Sequence, residues 1–280
     1  MKKLLLAIVL VLSCHGCSSQ KIVDISHHLY KIKKNNSYLY LLGSIDVGKE
    51  FDQLDNSTEN AYQDSDIIVT ELLLDNLDKT NYLHKMPIKD VCKQETLDKL
   101  MDNINKYSTN LIYFNSDRMS GYNPVVISST LRTAIFQDLG YSSQYGIDTY
   151  FIKRGKEDKK AFDELVSKAF QENFVLEISR QFGNDMILQT AHYDENLKIQ
   201  KELVDIYYHS KKEEINNHCY RIDYNDITND NKNNQIMQKI DKYLQDDKIE
   251  FILADTKLVD GKQGLIELLK KNNEYNVIEY

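Results

Sequence analysis

The chain has little of several residue types on which common functional sites are built. Trp is absent, Pro occurs only as Pro87 and Pro124, and the few glycines form neither a phosphate-binding loop nor a Gly-x-Ser-x-Gly nucleophile turn. The net charge of -8 and a pI near 5.4 come without any basic stripe that carries aromatic residues. This composition argues against nucleic acid and against anionic lipid headgroups as partners.

Cysteine and histidine are also sparse, and neither has the spacing of a metal site. Cys92 and Cys219 show no metal-ligand pattern; two unpaired structural cysteines are favoured, and a disulfide between them stays open. The histidines lack the i, i+4 pairing that places two imidazoles on one helix face. His27 and His28 adjoin a predicted tether, where we expect at most adventitious metal binding.

The apolar run near the N-terminus is too short to cross a bilayer. It extends from Leu4 to Leu12, against the roughly 20 residues that a spanning helix needs. Two lysines precede the run, and Ser13 and Cys14 follow it directly. This is the pattern of a bacterial lipoprotein signal. Cys17, preceded by Gly16, is the rival lipidation site, and an uncleaved anchor or an ordinary secretion signal is the alternative.

This pattern predicts the location of the protein and its domain organisation. We expect a signal peptide over residues 1–13, a lipidated Cys14 with a polar tether over 14–37, and one folded domain over 38–280. The acyl chains on Cys14 would anchor the chain in the lipid bilayer of the cell membrane or the outer membrane, on its extracytoplasmic side.

Strand patterns lie in both terminal thirds of the domain and helical patterns between them. Compact apolar runs predict strands over 38–42, 66–72, 249–254 and 275–278. Helical spacing predicts helices over 51–63, 94–106, 124–139, 159–180, 185–189, 197–213, 234–245 and 264–271. The fold class is therefore α/β, with a sheet built from N- and C-terminal strands and a long helical central insertion. The polar patch 225–234 is predicted to be an exposed loop, and 148–154 is ambiguous.

An ordered series of motifs runs through this domain. Residues 40–47 contain a strand, the turn glycine Gly43 and a polar position three residues later, and residues 67–71 form a strand that ends on Glu71. Further motifs follow at 87–91, 122–124, 140, 146–148, 234–237 and 251–264. In this order and spacing the chain resembles the TraB/GumN family, relatives of the Tiki proteins, which are described as metal-dependent proteases or protease-like.

The departures from the family pattern fall on its charged positions. The histidine of the first motif is Asp46 here, and the histidine of the last motif is Lys257. The arginine that begins a C-terminal helix is Asn233, whereas Glu71 persists. Glu164 aligns loosely with a further glutamate of the family.

These departures bear on the metal that the resemblance implies. Imidazole and carboxylate lone pairs would hold a divalent ion there, but a protonated lysine has no acceptor and repels such an ion. We therefore expect Lys257 to replace the metal electrostatically, paired with Asp46 or Glu71. The chain would then keep the fold, need no cofactor and have lost metal-assisted hydrolysis.

Other interpretations of the same residues stay open. Glu71 is equally well explained as a salt-bridged structural glutamate, and Asp148 as a helix cap. Asp46 and Lys257 also fit an ordinary exposed pair that is unrelated to any site.

Three functions follow from these alternatives. The favoured one is a non-catalytic binding protein of the cell envelope that holds a peptide or an envelope protein with Gly43, Asp46, Glu71, Asn233 and Lys257. The second is a metal-dependent peptidase or other hydrolase with altered ligands, in which Glu71 is the catalytic base and Asp46 and Glu71 hold the metal. The third is a purely structural envelope lipoprotein, which needs no pocket.

Overall fold

The structure is a computed structural model that describes residues 20–71, 83–107, 119–209, 225–261 and 264–280, of which 225–231 by backbone alone. Its strands are β1 Ile22–Val23, β2 Leu29–Lys34, β3 Ser37–Ser44, β4 Gln53–Leu54, β5 Ile67–Thr70, β6 Ala161–Glu164, β7 Glu250–Asp255 and β8 Asn276–Glu279. Its α-helices are α1 Asn56–Asp64, α2 Ile88–Val91, α3 Gln94–Asn103, α4 Pro124–Asp138, α5 Ile147–Glu157, α6 Lys168–Thr190, α7 Tyr193–Tyr208, α8 Asn225–Tyr243, α9 Thr256–Asp260 and α10 Leu265–Lys271. The predicted signal peptide, Cys14 and Cys219 lie outside the described residues.

A six-stranded mixed sheet organises the molecule. Its strand order is β6-β5-β7-β3-β2-β8, in which β6, β5, β7 and β3 run parallel and β2 and β8 are antiparallel to their neighbours. The four parallel strands therefore end at the same edge. Ser44 at the end of β3 pairs with Asp255 of β7, and Thr70 of β5 pairs with Glu164 of β6.

Helices cover both faces of the sheet, which explains why its central strands are almost wholly apolar. One face packs against α1, α5 and α7 through a cluster that contains Tyr40, Leu42, Ile68, Tyr62, Phe151, Tyr207 and Phe251. The other face packs against α8, α9 and α10 through a cluster that contains Leu39, Leu41, Val69, Ile252, Ile236, Ile240, Leu265 and Leu269. The predicted α/β class and the sheet shared by N- and C-terminal strands are confirmed.

The central helices form an apolar cluster of their own beside the sheet. Helices α2, α3, α4 and α6 bury Ile88, Leu100, Leu131, Ile135 and Ile187 there, away from the strands. Helix α4 begins as its sequence predicts, because Asn123 accepts a hydrogen bond from the Val125 N–H and Pro124 occupies the first turn. The helix ends at Asp138, and Gly140, which follows the C-cap residue, has the positive φ of 77° that suits a glycine after a helix.

The folded domain begins earlier than residue 38, so the predicted tether over 14–37 is corrected. Strand β2 lies between β3 and β8, and Leu29, Tyr30 and Ile32 are buried. A tight turn at Asn35, with φ of 55°, returns the chain into β3. The lysines of this segment hid the alternation of buried and half-buried residues along the strand.

Two further local predictions are wrong. Residues 161–164, expected to be helical, form the edge strand β6, because pairing with β5 supplies the backbone hydrogen bonds of an otherwise weak strand pattern. The patch 225–234, expected to be a loop, is the first half of α8. Its polar residues have poor helix propensity, but the same helix buries Ile236 and Ile240 against the sheet.

Two general features complete the description. No helix within the described ranges is both long and apolar enough to cross a membrane. Cys92 is half-buried as a free thiol, and burial raises its pKa to about 11.

Candidate functional site

Acidic side chains gather where the parallel strands end. Asp46 comes two residues after β3, Glu71 directly follows β5, Asp255 ends β7, and Glu164 ends β6. Asp148, in the first turn of α5, belongs to the same group. The charges of Asp46, Glu71 and Asp255 are close enough to add to the rise of its pKa. Ligands of open α/β sheets bind beyond the carboxyl ends of the strands, so this edge is the candidate site.

Glu71 is held by two donors. The Lys232 ammonium of α8 lies 2.5 Å from Oε2, and the Asp255 backbone N–H donates to Oε1 over 2.8 Å. Burial alone would raise the pKa of Glu71, but the Lys232 ammonium and the Asp255 N–H keep it below its usual value. Glu71 is therefore an ionised carboxylate with one donor fixed on each oxygen, and its lowered pKa makes it a poor general base.

Asp46 is exposed and pairs with a cation from the helical insertion. The Arg132 guanidinium of α4 lies 3.2 Å from its Oδ2. The expected pairing of Lys257 with Asp46 or Glu71 is therefore wrong, since Arg132 and Lys232 hold these carboxylates instead. Lys257 lies beside Asp255, and its charge acts to lower the pKa of that carboxyl. The Nζ atom of Lys257 has no ion-pair partner among the residues that the structure describes.

Asp148 and Asp255 carry the most perturbed carboxyls of the group. Burial, with contributions from Asp46, Glu71 and Asp255, raises the pKa of Asp148 to about 7, and the Ser44 hydroxyl opposes that rise. Burial also raises the pKa of Asp255, and Lys257 opposes it. Asp148 therefore gains and loses its proton near neutral pH.

Asp148 is not the cap of α5. Gly146 occupies the N-cap position, and Oδ1 of Asp148 is buried without a hydrogen-bond partner in the described part of the chain. A Cβ at Gly146 would lie 2.6 Å from the Asp46 carbonyl oxygen, so only glycine allows this close approach. Gly146 thus brings Asp148 against the end of β3.

The residues present do not fit the divalent ion that the resemblance implies. Both oxygens of Glu71 already accept hydrogen bonds, and three cations, Arg132, Lys232 and Lys257, stand around the carboxylates. No three His, Cys, Asp or Glu side chains converge at metal-binding distance within the described ranges. An ammonium has no lone pair to offer a metal and repels it.

Two other predicted site residues have different surroundings. Asn233 follows Lys232 in α8 and is 4 % exposed. Gly43 lies where β3 crosses α9: a Cβ there would be 2.9 Å from Oδ2 of Asp260, and its carbonyl oxygen accepts a hydrogen bond from the Tyr207 hydroxyl. The absence of a side chain at Gly43 therefore allows β3 and α9 to cross at close distance.

A buried polar network beneath Gly43 was missed from the sequence. His28 Nδ1 lies 2.6 Å from Oδ2 of Asp260, and its Nε2 lies 3.0 Å from the Tyr207 carbonyl oxygen. The hydroxyls of Tyr30 and Thr256 donate to the same Asp260 carboxylate. The expectation that His28 lies on a tether is thus wrong, because its side chain is fully buried.

A small cavity with a mixed polar and apolar lining adjoins the acidic edge. It has a volume of about 160 Å³ and lies between α4, α6, α7 and the first turn of α9. Its polar lining includes Ser128, Arg132, Gln189, Asn196, Gln200 and Lys257. Arg132 and Lys257 thus face both the cavity and the carboxylates. No local pattern predicts a role for Arg132, which lies in the middle of an ordinary helix.

Comparison with known proteins agrees with this architecture. No curated protein and no solved structure matches the chain. A sequence model of the TraB/PrgY/gumN family matches residues 28–277, and it begins at the buried His28. The match includes β2 to β7, the first half of β8 and every residue of the acidic edge. The chain therefore belongs to the TraB/PrgY/gumN family.

Proposed function

We propose that this chain is a lipid-anchored extracytoplasmic protein that binds a peptide or another envelope component and does not hydrolyse it. The observation that carries the proposal is the engagement of Glu71 by Lys232 and by the Asp255 N–H. Glu71 is the charged family position that this chain retains, and here each of its oxygens already accepts a hydrogen bond from a fixed donor.

The charge pattern at the edge supports a binding role. Arg132, Lys232 and Lys257 offset the negative charge of Asp46, Glu71 and Asp255, so the edge attracts a divalent ion less than carboxylates alone would. The adjoining cavity offers polar side chains in a concave site, which a purely structural lipoprotein would not need.

The location in the proposal depends on the N-terminal signal. Ser13 and Cys14 lie outside the described residues, and the argument for acylation rests on their sequence alone. The acyl chains on Cys14 make the lipid bilayer the first partner, and the ligand of the folded domain is the second.

A peptide-cleavage assay on the purified full-length chain tests the absence of hydrolysis. We expect the same background rate for the wild-type protein and for Glu71→Gln, with or without added Mn²⁺ or Co²⁺, because Glu71 is paired with Lys232 and its pKa is lowered. An exposed carboxylate variant, Asp247→Asn, is the matched control. Ion-stimulated cleavage that Glu71→Gln abolishes and Asp247→Asn retains would refute the proposal.

A hydrolase with altered groups is the second candidate, and Asp148 favours it. A carboxyl with a pKa of about 7 and an unpartnered buried oxygen has the properties of a general acid or base near neutral pH. In that case cleavage would survive Glu71→Gln and be lost in Asp148→Asn. The same assay therefore separates the two candidates.

A further inference from the structure

The cavity beside the acidic edge has a lining of one charge sign. Arg132 and Lys257 are its charged lining residues, and no carboxylate lines it within the described part of the chain. From this lining we infer that the cavity binds the carboxylate of a small ligand that also has an N–H group. The C-terminal residue of a peptide and a free amino acid share this chemistry. The inference deepens the proposed binding function and rests on it.

Both cations have donors left for such a carboxylate. Arg132 gives one guanidinium nitrogen, Nη2, to Asp46, and a guanidinium has five N–H donors. The Lys257 Nζ has three donors and no ion-pair partner among the described residues, although it lies near Asp255. A bound carboxylate would therefore receive charge-assisted hydrogen bonds from two directions.

Gln200 is the independent sign of a ligand. It lines the cavity from α7, it is only 7 % exposed, and its Oε1 is buried without a hydrogen-bond partner in the described residues. A buried polar atom without a partner is unfavourable, and such atoms are rare in folded proteins. Because Oε1 itself is buried, the carboxamide reaches the cavity with this oxygen only after turning by 180°, and it then accepts an N–H from the ligand.

The size of the cavity limits what it can hold. Pockets for drug-sized ligands have volumes of roughly 300–1,000 Å³. A cavity of about 160 Å³ holds a group the size of one small residue, and an extended peptide does not fit inside. A peptide would therefore place only its last residue here, with the preceding chain outside.

Isothermal titration calorimetry of the full-length chain tests this inference with four probes: trialanine, trialanine amide, L-alanine and inorganic phosphate. We expect trialanine to bind at least about tenfold more tightly than its amide, because hydrogen bonds to a charged group are worth this much. L-Alanine that binds as tightly as trialanine identifies a free amino acid as the source of the carboxylate, and weaker binding identifies a peptide end. Phosphate that binds as tightly as trialanine would overturn the inference.

Variants of the lining residues locate the binding. Arg132→Gln, Lys257→Gln and Gln200→Glu should each weaken trialanine binding by about tenfold or more, the last by repulsion at nearly unchanged shape. Arg180→Gln and Lys198→Gln are matched controls, since both side chains are exposed on α6 and α7.

Two outcomes contradict the inference. If trialanine binds the wild type but all three lining variants bind it equally well, the cavity is not the site, and the proposed peptide binding stands. If none of the four probes binds, a ligand of this chemistry is excluded, and the cleavage assay still tests the proposed function separately.

Discussion

Asp260→Ala should lower the free energy of unfolding by about 3–5 kcal/mol, the range typical for removing one partner of a buried charged pair. The Asp260 side chain is only 1 % exposed and accepts from the imidazole of His28 and the hydroxyls of Tyr30 and Thr256. Its removal takes away the acceptor that three buried donors share. Burial, and then Asp260, raise the pKa of Tyr30, which keeps this hydroxyl a donor at every physiological pH.

Denaturant unfolding of the full-length chain measures this effect. Asp260→Asn retains an acceptor oxygen and should lose less than the alanine variant, and Asp247→Ala is the exposed control with little change. An Asp260→Ala variant as stable as Asp247→Ala would show that the network does not hold β2 to α9. That result would favour the original prediction that His28 and Tyr30 belong to a tether.

Asp148→Asn should stabilise the protein at pH 8 by about 2–4 kcal/mol, which corresponds to the raised pKa of the wild-type carboxyl. Its pKa of about 7 in the folded chain lies above the ordinary value of 3.8. Between about pH 4 and 7 the folded chain thus binds this proton more tightly than the unfolded chain, so stability falls as pH rises. Above pH 7 the full unfavourable effect of the charge is present, and asparagine avoids it.

Unfolding at pH 5 and pH 8 separates this effect from a general one. The stabilisation by Asp148→Asn should be large at pH 8 and small at pH 5. Glu250→Gln provides the comparison with a second buried carboxyl outside the site. Glu250 is fully buried at the other end of β7, and burial raises its pKa to about 7 as well. An equal gain from Asp148→Asn at both pH values would contradict the raised pKa of Asp148.

Elements with a clear local pattern of apolar residues could be predicted from the sequence. The strand that ends on Glu71 and the strand 249–254 were predicted from their apolar runs. Their parallel pairing, which brings Glu71 and Asp255 to one sheet edge, was not predicted, because the sequence does not give the strand order. The edge strand β6 was missed, because its four residues owe their conformation to pairing with β5 rather than to their own propensity.

The charged partners at the site could not be predicted, because they come from helices distant in the sequence. Arg132 and Lys232 reach Asp46 and Glu71 from α4 and α8. Lys232, and not Lys257, provides the cation that pairs with Glu71. Lys232 directly precedes Asn233, the position that aligns with the family's arginine. Lys257 instead lines the neighbouring cavity.

The bound-metal content of the full-length chain tests the central claim most directly. The chain is incubated with Mn²⁺ or Co²⁺, separated from free ion and analysed for metal, with Glu71→Gln as the comparison. Because Lys232 and the Asp255 N–H already occupy Glu71, we expect far less than one ion per chain, equal in both proteins. One tightly held ion per wild-type chain, lost in Glu71→Gln, would contradict this account.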